Sequence, residues 1–205
     1  MINRQFLLSF SFCLVAGATT ALAQAPTTNV RVKGAVEKLD GSILTVKTAD
    51  GSDTAVKLAD NYSVRTVLKL TPADIKSGDY LGVGAKPQPD GTLRAVQITI
   101  FPEAQRGVGE GNHSWRDDLP DSTMTNGTAS ATVQSVDGPA LTITYKGGEK
   151  KLIIPADALI VTYAPAEKAD LKPGAPVLIT AAKQADGTLT SARVTVSKNG
   201  VPLPM

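Results

Sequence analysis

Between residues 106 and 122 the chain reads RGVGEGNHSWRDDLPDS, and this stretch holds its single histidine, His113, and its single tryptophan, Trp115. Arg106, Arg116, Asp117 and Asp118 stand around them. Imidazole beside carboxylate is the material of a metal site, with Glu110, Asp117 or Asp118 as further ligands. A tight zinc or copper site, however, collects several histidines or cysteines, so no metal site is expected here. Asp117, Asp118 and Asp121 lack the twelve-residue ligand spacing of a calcium loop. The alternating Gly107, Gly109 and Gly111 do not have the dinucleotide-binding spacing, and no helix follows to face a phosphate.

Catalysis finds even less support. His113 and Ser114 are adjacent, and neighbouring side chains diverge, so a Ser-His-Asp arrangement needs a serine from elsewhere. No nucleophile elbow or zinc-binding helix motif is present. Asp40, Asp90, Asp137 and Asp186 each precede a glycine, where turn geometry alone accounts for them. The expectation is a non-enzyme without a cofactor. What the stretch offers is contact, through Arg106, His113, Trp115, Arg116, Asp117 and Asp118, which are singled out because the rest of the chain explains itself as repeats.

The elements that must position these residues follow a leader. The chain opens MINRQFLLSFSFCLVAGATTALAQA, with Arg4 as a basic start, Phe6 to Ala16 as an apolar run and Ala21-Leu22-Ala23 as a small-x-small cleavage site. Residues 1–23 therefore read as a signal peptide, too short in its apolar part to span a bilayer, which needs about 20 apolar residues. Cleavage removes Cys13 and leaves a mature chain of 182 residues with no disulfide to brace it. It also leaves a net charge of +1, which argues against a polyanion as dedicated partner. No later segment reads as transmembrane, and the expected location is periplasmic or secreted.

After the leader the sequence is written twice. LDGSILTVKTADG at 39–51 returns as VDGPALTITYKGG at 136–148, an offset of 97. TPADIKSGDYLGVGAKPQPDGTLRAVQITI at 71–100 returns as EKADLKPGAPVLITAAKQADGTLTSARVTV at 167–196, an offset of 96. Asp-Gly and Gly-Gly pairs mark tight turns, including two-residue turns at Asp40-Gly41 and Asp137-Gly138. Period-two alternation at Val30, Val32, Gly34 and Val36, then Leu44 and Val46, marks strands between them. One helical turn is expected at Pro72–Ile75 and again at Lys168–Leu171. Each copy thus reads as five strands with its long link between the third and fourth, the order of an OB-like barrel.

The predicted fold is all-β: two tandem five-stranded OB-like barrels at 27–101 and 127–198, a Gly/Asp-rich connector at 102–126 and a tail at 199–205. The motifs VKGAV, DGSILTV, IKSGDYLGV and DGTLRAVQI resemble the small exported bacterial OB-like modules grouped as a domain of unknown function. The resemblance extends over 30–100 and 128–196, with Ala131 at the Gly34 position and Ala175 at the Asp79 position of the second copy. It implies the fold and carries no chemistry.

The connector holds five acids against two arginines, a net of −3, while each module is +2. Docking is expected, with Trp115 as anchor and the acids facing module lysines, because an indole buries ~150–250 Å2 when it packs. Nucleic acid is not an expected partner. The turns are short, and the strands beside them offer Thr45, Lys47 and Thr142 where base stacking needs aromatics. The reading is a non-catalytic exported binding or structural module for an envelope protein or small ligand. Its alternatives are a small-ligand or metal carrier using His113 and Trp115, and a cell-envelope hydrolase.

Overall fold

A computed structural model describes residues 28–116, 118–133 and 138–204. The expected leader, Asp117 and Asp137 lie outside the described residues. The fold is all-β, with strands β1 (Thr28–Asp40), β2 (Ile43–Thr48), β3 (Asp53–Lys69), β4 (Tyr80–Pro87), β5 (Leu93–Ile100) and β6 (Gly111–Arg116). They continue as β7 (Leu119–Val133), β8 (Ala140–Tyr145), β9 (Gly148–Ile153), β10 (Leu159–Ala166), β11 (Pro176–Lys183) and β12 (Leu189–Val196). Among the described residues no helix is long and apolar enough to cross a membrane. The expected helical turns are single 3-10 turns at Pro72–Asp74 and Lys168–Asp170. Each is tied by its own aspartate, which accepts from the Thr71 or Glu167 backbone N–H at 2.8 and 2.9 Å.

The strands do not sort by copy. β1, β2 and β3 of the first copy close into a five-strand barrel with β12 and β11 of the second: β11 pairs with β1, and β12 pairs with both β11 and β3. The remaining strands of the first copy, β4 and β5, pair instead with β7 and β9 of the second, β5 meeting β9 at the one pair Arg94↔Ile153. Between the two sets, β3 and β10 run antiparallel from Val161↔Lys69 to Ala166↔Val64. The 97-residue offset turns one of these end pairs into the other, so a pseudo-twofold passes through this ladder. This departs from the contiguous modules expected at 27–101 and 127–198. The physical reason is that duplicated hairpins present the same apolar faces, so a partner from either copy satisfies the same ladder. The barrel core accordingly mixes copies, with Val36, Leu44 and Val56 packed against Val177, Ile179 and Val194. Each such aliphatic side chain contributes about 1.5–3 kcal/mol on burial.

Two registers also differ from expectation. Val36 pairs with Val46 and Ala129 with Ile143, each followed by a bulge at the next residue. The structural counterpart of Gly34 is therefore Gly127, not Ala131. At each glycine the backbone of the next strand comes so near that a Cβ would lie 2.1 Å from the Lys47 carbonyl oxygen or 2.4 Å from that of Thr144. The second copy carries its four extra residues between β7 and β8, where six residues replace the two between β1 and β2. The links β4–β5 and β11–β12, expected as tight turns, are five residues long. Asp90 and Asp186 close them by accepting from the Thr92 and Thr188 backbone N–H groups, both at 2.9 Å.

Candidate functional site

The interlacing brings three arginines to one face. Arg31 lies on β1, opposite Thr180 of β11, and Arg65 on β3 lies opposite Thr195 of β12, two residues beyond Arg193. In each case the flanking residues, Val32, Val64 and Val194, are buried, so strand alternation turns the arginines outward. With Tyr163 of β10 and Thr180 they line a cleft of about 400 Å3. First-copy and second-copy strands each supply part of the lining.

The geometry within the cleft is specific. The Arg65 guanidinium lies 3.4 Å from the centroid of the Tyr163 ring, a stacked cation–π arrangement. Its Nε donates to Thr195 Oγ1 at 2.9 Å. Gln105 reaches in from the connector, and its amide oxygen accepts from Arg193 Nη1 at 3.2 Å and Arg65 Nη1 at 3.3 Å. Its amide orientation is the one that satisfies this network. Arg31 donates from Nη2 to the Pro204 carbonyl at 3.4 Å. Burial lowers the Arg65 pKa, and Arg193 lowers it further while Tyr163 opposes. Burial likewise lowers that of Arg31, with Arg116 adding to the effect and Tyr163 opposing it. A guanidinium starts so high that all remain cations. Among the described residues no carboxylate lies within ion-pair distance of Arg65 or Arg193. An anionic oxygen about 4 Å from such a charge gains roughly 4 kcal/mol per pair at an effective dielectric of 20, less where solvent screens it.

The equivalent place in the other strand set is built from different residues. Met124 stands where the barrel has Arg31, Thr162 where it has Arg65, and Gln97 where it has Arg193, as the strand registers establish. This counterpart is closed. Gly84, the counterpart of Thr180, lies beneath the Trp115 indole, so close that a Cβ would fall 2.4 Å from the ring. Gln97, the cross-strand neighbour of Gly84, is buried. One face is thus neutral and covered, the other cationic and open.

The residues singled out in the connector do not form one constellation. Trp115 docks as expected, carried by the hairpin of β6 with β7. Its Nε1 is buried and has no hydrogen-bond partner among the described residues. Arg116 crosses the indole at 5.8 Å and forms an ion pair with Asp118, its Nε at 2.7 Å from Oδ1. Arg106 pairs with Glu103 at 2.6 Å and donates to the Gly78 carbonyl at 3.0 Å, far from the indole in the chain's path. His113 is exposed, opposite Met124 in the hairpin. Among the described residues no three of His, Cys, Asp and Glu come together. Glu103 and Asp118 meet the connector arginines, and Glu110 accepts from the Lys146 backbone N–H at 3.0 Å. Among the described residues no module lysine pairs through its ammonium with a connector acid.

Arg31, Arg65, Arg193, Tyr163 and Gln105 were not legible as a group, because no two of them are near in sequence. Aligning the copies does expose Arg65 and Arg193 one at a time, facing Thr162 and Gln97, whereas Arg31 faces Met124 only in the structural register. Residues 33–99 match the family model described as a domain of unknown function (DUF5666), about a third of the chain and the span from β1 through β5. No curated protein matches the chain.

Proposed function

We propose that this protein is a non-catalytic, exported binding module, two interlaced OB-like barrels whose working face is the cationic cleft. The carrying observation is the difference between equivalent positions, Arg31, Arg65 and Arg193 against Met124, Thr162 and Gln97. The fold tolerates neutral residues at these positions, so packing gives no reason for three cations in one half alone. Clustered like charges cost stability, and a ligand of opposite sign offsets that cost.

The second strand set completes the proposal as a barrel equivalent to the first. Its support is the matching register, with Leu81↔Gly127 reproducing Gly34↔Val177. Export is supported by the leader pattern at 1–23, and the proposed location is the periplasm or outside the cell. The cleft volume of about 400 Å3 falls in the range of small-molecule sites. The ligand is therefore a small anion, and Trp115 acts as the cover of the neutral face.

A thermal-shift panel tests this reading. Small anions at low ionic strength are expected to raise the melting temperature of the exported chain, and sodium chloride to erase the effect. The Arg65→Gln/Arg193→Gln double variant is expected to fold normally and lose the response. A panel in which neutral analogues stabilise as well as the anions do would end the proposal.

A further inference from the structure

Resting on the anion-binding reading, the cleft shows where the charge of the ligand is received. The Gln105 amide oxygen occupies the point where Nη1 groups of Arg65 and Arg193 converge, at 3.3 and 3.2 Å. A neutral carbonyl satisfies the donors but not the charge. We infer that Gln105 is a built-in placeholder, and that the ligand is a small oxyanion, carboxylate or phosphate, that displaces it and bridges the two guanidiniums.

Three features support this assignment. The donors belong to guanidiniums, whose planar forks match two oxygens of a carboxylate or phosphate better than a spherical ion. Arg65 is held rigidly, by the Tyr163 ring on one side and by Thr195 Oγ1 at 2.9 Å on the other, so little order is lost on binding. Gln105 comes from the single 3-10 turn Glu103–Gln105 of the connector, outside the strand ladders, and it can withdraw without breaking a strand pair. Thr195 keeps its own hydroxyl proton after accepting from Arg65, and the exposed Thr180 lines the same cleft. A ligand carrying hydroxyl groups beside its oxyanion fits that lining.

Calorimetric titration of the exported chain with inorganic phosphate and with citrate, at low ionic strength, separates the possibilities. Gln105→Ala removes the competitor and is expected to tighten binding about fivefold, the equivalent of one modest hydrogen bond. Gln105→Glu supplies an internal carboxylate and is expected to weaken binding at least about tenfold. It should also raise the melting temperature of the ligand-free chain, a readout that needs no ligand. Tighter binding of phosphate or of citrate identifies which oxyanion the fork prefers, and either supports the inference. If the wild type binds an anion but both Gln105 variants leave the affinity within about twofold, the placeholder is refuted while the binding module stands. If neither the wild type nor Gln105→Ala binds phosphate or citrate, and Gln105→Glu leaves the melting temperature unchanged, both readings fall.

Discussion

At the scale of single residues, a glycine and a tryptophan decide which face of the molecule is closed. Gly84 has no side chain because the Trp115 ring occupies that volume, with three ring carbons within 2.6 Å of where a Cβ would be. Gly84→Val is expected to destabilise the chain by about 1–3 kcal/mol through overpacking. Trp115→Ala, which empties a half-buried site, is expected to cost about 2 kcal/mol. Combined, the two should cost less than their sum, because the second removes the atoms with which the first collides. Chemical denaturation of the four species measures the coupling, and strict additivity would detach the indole from this glycine. The anchoring role of Trp115 was legible in advance, since a lone indole in an aromatic-poor chain has few other ways to leave water. Its target was not, because nothing in GVGA at 82–85 tells Gly84, beneath the indole, from Gly82, which faces the Phe101 ring.

At the scale of elements, the turns carry a pH dependence in the acid range. Asp50 accepts from Thr48, from the Ser52 backbone N–H and from the Ser52 hydroxyl, and these bonds lower its pKa from 3.8 to about 2. Asp74, Asp90 and Asp186 are lowered in the same sense by backbone and hydroxyl donors of their own turns. The folded-state values lie below the unfolded ones, so the stabilisation is fully present above pH 3.8 and is lost as the pH falls towards about 2. Melting temperature is expected to fall over that window, and Asp50→Asn should flatten part of the slope by lowering the neutral-pH melt while leaving the melt near pH 2 nearly unchanged. A slope identical to that of the wild type would remove Asp50 from this account. The same turns explain which elements sequence could place. Alternation at Leu44 and Val46 and the helical turn at Pro72–Ile75 are local, and both appear where expected, the turn as Pro72–Asp74. The first strand of the second copy was misplaced by four residues because its Asp-Gly pair mimics the turn of the first copy. The true register is fixed by a distant carbonyl, that of Thr144 against Gly127.

At the scale of the whole molecule, the exchange of hairpins between copies is what no local pattern carries. The β4–β5 and β11–β12 hairpins share their motif, so pairing within a copy and pairing across copies bury nearly the same surface. The choice falls to the links at 70–79 and 167–175, each holding one 3-10 turn. Residues 24–205 contain no cysteine, which makes the pairing open to direct test. Asn29 stands opposite Ala182, and opposite residues of antiparallel strands have Cα atoms about 4.5–5.5 Å apart, within disulfide reach. An Asn29→Cys/Ala182→Cys variant is therefore expected to close an intramolecular disulfide under mild oxidation, seen as faster migration of the unreduced monomer. In a contiguous barrel the partner of Asn29 is instead Lys86, the counterpart of Ala182 at the 96-residue offset. Asn29→Cys/Lys86→Cys should then remain reduced. The opposite result would return each barrel to its own copy and separate Arg193 from Arg31 and Arg65, and the cationic cleft would have no place to form. A disulfide-linked dimer from the first variant would show that the hairpins exchange between chains, and the cleft would then be shared by two molecules.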